Sequence, residues 1–188
     1  MIKKHIIGNS GILKLDKQER FRIGLRALEP EDVDLMFDVE NDDEVWNYSD
    51  TVAPFSRRLL RDYASTYDAD PFSAGQLRLI MIEKNSGQPA GIIDLYDISQ
   101  RHKRAFIGIY VCKDFRGKRY GEEALELIEE YAYKVLHLHQ LAAKVEEKNL
   151  RGERLFLNCG YKIKGVLKDW LSTPDGNFTG IKILTKIL

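Results

Sequence analysis

The sequence predicts a single mixed α/β domain. Three observations carry that expectation. Strand-length apolar segments and amphipathic helical segments alternate along the 188 residues in the order β-α-α-β-β-β-α-β-α-β-β. No internal repeat, low-complexity tract or Pro/Gly-rich linker divides the chain, and its length suits one domain with its own core. Over residues 105–124 (AFIGIYVCKDFRGKRYGEEA) an apolar strand leads into a short basic turn containing glycine and then directly into a helix.

Each element has its own signal. Residues 1–20 hold two short apolar pieces around Gly8-Asn9-Ser10-Gly11, which predicts an N-terminal arm or small hairpin ahead of a domain over 21–188. Residues 22–28 alternate as a strand does. Glu29-Pro30-Glu31-Asp32 puts acids and a proline into the first turn of a helix whose apolar stripe is Val33, Met36 and Phe37. Ser56 caps a second helix, with Leu59, Leu60 and Tyr63 expected to face inward. Residues 77–83 and 89–98 read as strands around the Asn85-Ser86-Gly87-Gln88 turn. The strand over 105–112 follows the basic turn Gln100-Arg101-His102-Lys103. Ala124, Leu125, Ile128, Ala132 and Val135 form the apolar face of a helix over 121–135. After a short strand over 140–145, Asn149 caps a helix ending at Cys159-Gly160, where glycine can turn left-handed. Two long strands, 161–171 and 178–187, close the chain around Pro174-Asp175-Gly176-Asn177.

Composition narrows the classes of function. Lys+Arg and Asp+Glu are both 29, so the chain carries no net charge that would argue for nucleic acid. No apolar run is long enough to span a membrane, and the N-terminus has no apolar leader segment, so we expect a cytoplasmic protein. The two cysteines, Cys112 and Cys159, are expected to be buried thiols. The four histidines do not combine with them in metal-binding spacing, so no metal is expected. Charge is uneven all the same: residues 29–44 hold nine acids and no base. Those carboxylates are either a solvated helix face or an attraction for a polycation.

A strand, a glycine turn and a helix N-terminus make a cradle for phosphate. Backbone N–H groups point into the turn, and the helix end adds positive potential. Gly117 and Gly121 permit close approach of a ligand to the backbone, and Lys118 and Arg119 add charge. The alternative is a solvated basic turn. The spacing is neither that of a Walker loop nor that of a dinucleotide-binding fingerprint.

The turn resembles the coenzyme A pyrophosphate loop of the GNAT superfamily of N-acetyltransferases, Arg/Gln-x-x-Gly-x-Gly/Ala. Arg116 and Gly121 fit that pattern, and Arg119 stands at its middle glycine. The resemblance extends from residue 22 to the end and is nearest the branch of spermidine and ribosomal-protein alanine acetyltransferases. It is carried by Leu25-Arg26-Ala27-Leu28-Glu29-Pro30-Glu31-Asp32, by Gly91-Ile92-Ile93-Asp94-Leu95, by Arg104-Ala105, and by Asn149 with Cys159-Gly160-Tyr161. It implies a mostly antiparallel central sheet with splayed middle strands flanked by helices. It also implies acetyl-CoA as co-substrate, without a metal, and a primary amine as acceptor: a polyamine, another small amine or a protein N-terminus. A homo-oligomer fits the same branch.

The resemblance also assigns roles. Arg116, Gly117, Lys118, Arg119, Tyr120, Gly121 and Glu122 would hold the pyrophosphate. The backbone of Ile109, Tyr110 and Val111 would pair with the pantetheine and polarise the thioester. Asn149 would touch the cofactor, with a helix cap as its other role. An amine with pKa near 10 must lose a proton before it attacks. Asp94 is the leading base candidate, equally readable as a structural carboxylate, and Tyr110 and His102 follow. Three departures stand out. Arg119 replaces a glycine, Glu122 replaces the usual Ser or Thr, and Phe156 stands where relatives carry the Tyr that protonates the leaving thiolate. Gly152 also replaces a common Ser. The residues therefore support a slowed N-acetyltransferase first and a non-catalytic acyl-CoA-binding regulatory module second. Nucleic-acid binding through the basic turns comes last, since no stacking aromatics interleave them.

Overall fold

The computed structural model describes residues 11–13, 15, 18–46, 51–67 and 70–188. The arm or hairpin expected at residues 1–20 lies for the most part outside them. Within them, Leu13 is buried and its N–H bonds to the Leu25 carbonyl at 2.8 Å.

The element order follows the sequence. Strand β1 (Ile23–Ala27) leads through a 3-10 turn (Pro30–Asp32) into α1 (Val33–Glu40). Helices α2 (Asp43–Trp46), α3 (Arg57–Thr66) and α4 (Pro71–Ala74) precede strands β2 (Gln76–Glu83), β3 (Pro89–Ser99) and β4 (Arg104–Val111). Then come α5 (Tyr120–Lys134), β5 (Gln140–Glu146), α6 (Leu150–Asn158), β6 (Lys162–Ser172) and β7 (Phe178–Ile187). The one-turn helices α2 and α4 were not expected, because four residues are too few to display a helical period. The predicted caps are in place: Ser56 Oγ accepts from Leu59 N–H at 3.2 Å, and Asn149 Oδ1 accepts from Gly152 N–H at 2.8 Å. Leu59, expected inside, is exposed. The buried face of α3 is carried by Leu60 and Ala64, four residues apart, with Tyr63 half-buried beside them.

The strands form one sheet in the order β1-β2-β3-β4-β5-β7-β6. Every neighbouring pair is antiparallel except β4 with β5, whose parallel crossover is made by α5. Alternate residues of the central strands feed two cores. On one side Leu25, Leu79, Ile93, Ile107 and Leu141 meet Leu125, Ile128 and Phe156. On the other, Ile80, Ile82 and Ile92 meet Met36, Val39 and Leu60. Cys112 and Cys159 are free thiols, half-buried rather than buried as expected. Burial, with Glu129 nearby, pushes the Cys159 thiol up to about 12, so it stays protonated. Among the described residues no helix is long and apolar enough to cross a membrane.

β3 and β4 lie close where the site is built. A Cβ on Gly91 would stand 2.1 Å from the carbonyl oxygen of Tyr110. Backbone cannot yield there as a side chain can. Gly91→Ala is therefore expected to cost about 1–3 kcal/mol and to lower Tm by about 2–10 °C, measured by thermal unfolding. A Tm unchanged within about 1 °C would show that the two strands are not held at that distance.

Candidate active site

The site begins where the sheet comes apart. β4 and β5 pair at Arg104↔Gln140, Ala105↔Leu141 and Phe106↔Ala142, and not beyond. On the far side of β4, Cys112 N–H bonds to the Ala90 carbonyl at 2.9 Å, and Gly91 and Ile93 lie opposite Val111 and Ile109. Antiparallel hydrogen bonding alternates along such a ladder. Gly108 and Tyr110 thus direct their backbone bonds at β3, and Ile109 and Val111 direct theirs to the side that β5 has left. Tyr110 contributes its side chain to the site. A cleft of about 950 Å³ opens here and runs from the turn before α5 to the sheet face around Asp94.

At the first end lies the basic turn. Gly117 has φ +78° and Arg119 φ +64°, both left-handed. Arg119 thus adopts the conformation that its glycine counterpart would favour, at a cost of about 1–2 kcal/mol for a residue with a Cβ. Its guanidinium pairs with Glu122 at 2.6 Å across the first turn of α5. A carboxylate repels phosphate, and this one has a cation beside it. Gly121 is buried, and a Cβ there would come within 3.2 Å of both Leu155 methyls, so this glycine also lets α6 pack against α5. Arg116 Nε donates to the Val111 carbonyl at 2.9 Å. Tyr120 is among the residues that line the cleft. Lys118 does not line it; its ammonium lies 4.9 Å from the Phe115 ring centre. Arg22, absent from the sequence reading, braces this turn: its Nε donates to Glu123 at 2.8 Å and its guanidinium lies 4.9 Å from the Tyr120 ring centre.

At the other end is a half-buried charge cluster. Arg78 donates to both oxygens of Asp94 at 2.9 Å and to Glu40 at 2.6 Å. Burial opposes its charge, but Asp94 and Glu40 more than offset that and hold the guanidinium above its ordinary pKa. Each Asp94 oxygen still has a lone pair for one further donor. Tyr110 donates to Asp42 at 3.1 Å, and Lys113 meets the same carboxylate oxygen at 3.1 Å. Burial first, and Asp42 second, push the Tyr110 hydroxyl up to about 12. It is a neutral donor at physiological pH. Glu146, also missed by the sequence reading, is buried at the end of β5 and accepts from Thr179 Oγ1 at 2.8 Å. Arg78 left one visible signal, a charge between the apolar residues Leu77 and Leu79, whereas Glu146, last in a strand that also holds Lys144, left none. His102 lies in an exposed turn outside the cleft.

Four of the nine acids in the stretch over 29–44 are paired with bases in the fold. Asp32 pairs with Arg26, Asp34 with Arg57, Glu40 with Arg78, and Asp42 with Lys113. Between the two ends, α6 supplies Asn149 and Phe156 to the cleft wall. The Phe156 ring is buried and meets Tyr161 edge-on, 5.0 Å between centres. Among the described residues no group of three or more His, Cys, Asp or Glu is placed to hold a metal.

Known proteins resemble this chain in sequence and in fold. The spermidine N(1)-acetyltransferase of Escherichia coli K12 is 25% identical over 145 residues, covering 77% of this chain and 75% of that protein. The putative ribosomal N-acetyltransferase YdaF of Bacillus subtilis is 26% identical over 164 residues, covering 79% and 82%. The crystal structure of spermidine N-acetyltransferase from Vibrio cholerae in complex with CoA and spermine superposes with a TM-score of 0.79 at 20% identity. It covers 88% of this chain and 95% of that one. The acetyltransferase (GNAT) domain family matches residues 22–162, three quarters of the sequence, and with the splayed sheet already described the chain belongs to that family.

Proposed function

We propose that the chain is an acetyl-CoA-dependent N-acetyltransferase that passes its acetyl group directly to a primary amine. The observation that carries this reading is the single cleft between β4 and β5, which joins the glycine turn to the Arg78 cluster. The residues fit the co-substrate. Left-handed Gly117 and Arg119 turn backbone N–H groups at the α5 N-terminus toward a pyrophosphate. The backbone of Ile109 and the N–H of Val111 can pair with an amide-bearing arm and donate to the thioester oxygen, while the Val111 carbonyl is held by Arg116. The amine nitrogen bonds to the carbonyl carbon, the C–S bond breaks, the thiolate leaves, and the amine gives up a proton.

Asp94 is the proposed acceptor of that proton. Arg78 fixes the carboxylate in place, and the free lone pairs can bind the incoming ammonium. One guanidinium between two carboxylates leaves the cluster a net negative charge, which favours a cationic acceptor. The names of the relatives put polyamines first among acceptor classes, ahead of other small amines and protein N-termini. A cytoplasmic homo-oligomer belongs to the same reading, in keeping with the Vibrio cholerae relative described as dodecameric.

A thermal-shift titration with acetyl-CoA tests the cofactor. At about 100-fold over Kd the fold should gain about 2.7 kcal/mol. An amine panel with thiol-release detection then identifies the acceptor. No shift at millimolar acetyl-CoA would leave the fold without the activity.

Asp94→Asn is expected to lower kcat/KM by about 10²–10⁴-fold with acetyl-CoA affinity unchanged. A purely structural Asp94 would instead lower Tm and leave kcat per folded molecule intact.

The second reading, a non-catalytic acyl-CoA-binding module, is favoured by one observation: the cleft wall presents Phe156 where an acid is needed, and Phe has no proton to give. Phe156→Tyr should raise kcat by about 10²-fold if that acid is all that is missing. No turnover in either form would favour the module, and an unchanged kcat would show that another group protonates the thiolate.

A further inference from the structure

Two basic residues that no sequence motif put forward line the same cleft. They are Arg151 and Arg154 on α6. The other arginines of the cleft are engaged: Arg78 with Asp94 and Glu40, Arg119 with Glu122, and Arg116 with the Val111 carbonyl. Arg151 and Arg154 have no carboxylate partner among the described residues, and both are exposed.

Their placement runs against local electrostatics. Arg151 stands in the first turn of α6, where unpaired N–H groups and the helix dipole are already positive, so a cation there is unfavourable. Arg154 follows at a spacing of three residues and shares its helix face, and like charges so placed repel. A sequence that breaks a local rule twice, at one edge of one cleft, is answering to something other than helix stability. An anion in the cleft would satisfy both.

The co-substrate supplies such an anion. Besides its pyrophosphate, coenzyme A carries a phosphomonoester on the ribose 3′ oxygen, with a charge of about −1.5 to −2 at pH 7. The turn before α5 accounts for the pyrophosphate. We infer that Arg151 and Arg154 bind the 3′-phosphate, so that the chain discriminates coenzyme A and its thioesters from 3′-dephospho-coenzyme A. This rests on acetyl-CoA being the co-substrate. Guanidinium suits the task because its planar fork donates to two phosphate oxygens at once.

The test is calorimetric titration of the full chain with CoA and with 3′-dephospho-CoA. CoA should bind about 10-fold or more tightly, and raising the salt should narrow the gap. In the R151Q/R154Q double variant the ratio should fall to near one while the Kd for 3′-dephospho-CoA stays where it was. That second Kd also reports that the variant is folded. Equal affinities in the unaltered chain, or a preference that survives the double substitution, would overturn the assignment and leave acetyl-CoA binding standing. If neither ligand binds at millimolar concentration, the co-substrate reading falls, and this inference falls with it.

Discussion

Three residue pairs join β4 to β5, and then the two strands part. The cleft depends on that departure. In a continuous sheet the backbone of Ile109 and Val111 would be spent on a neighbouring strand. Here the Ile109 backbone and the Val111 N–H face a groove, the Val111 carbonyl being taken by Arg116, while β3 holds the other edge of β4 through an unbroken ladder from Gly91 to Tyr96. The groove is stable because both sheet faces remain covered close by. Ile107 still packs under α5, and Ile92 still packs against the α1 and α3 side. The sheet forgoes some hydrogen bonds along one edge and retains its cores.

The turn before α5 shows how a family pattern can change its residues and keep its shape. Arg119 takes the left-handed conformation itself, and its side chain reaches Glu122 on the next turn. The two departures from the family pattern are thus partners of each other. An exposed pair of this kind is weak in energy. Its effect is on charge, since it places a guanidinium beside the carboxylate that would otherwise face the incoming phosphates. Arg22, just before β1, pairs with Glu123 of α5 and braces the same turn, which ties the proposed phosphate cradle to the edge of the sheet.

The two ends of the cleft differ in electrostatic character, and the fold separates them. Arginines gather where the turn and α6 meet the cleft. Carboxylates gather on the sheet face, where Arg78 sits between Glu40 and Asp94. A molecule lying along the groove with its phosphates at one end and an amine arriving at the other would meet matching charge at both. The acidic run over 29–44 contributes less to this than its composition suggests, because α1 and its neighbours pair four of those carboxylates with bases. Only Glu40 and Asp42 of the paired four are drawn toward the cleft, through Arg78 and Tyr110.

By itself the sequence determined the strands and longer helices, most of their caps, the glycine turn and the family. Each of these is written locally: a period of two or of 3.6, a Ser or Asn before a helix, a glycine where the backbone must turn left-handed. It also determined that Phe156 cannot donate a proton, since that is a property of the residue type. Tertiary structure alone decided which charges meet. Arg78, Asp94 and Glu40 come from three elements, and Glu146 with Thr179 from two more strands. No spacing along the chain announces such contacts, because the pairing of β2 with β3 and the packing of α1 over them bring the groups together. The same holds for Arg151 and Arg154, which belong to none of the motifs in the sequence. What marks them is the absence of any carboxylate partner among the described residues beside a groove opened by β4 and β5. A side chain's local signal reports its own backbone, whereas a site is made of distances between backbones, and only the folded chain fixes those.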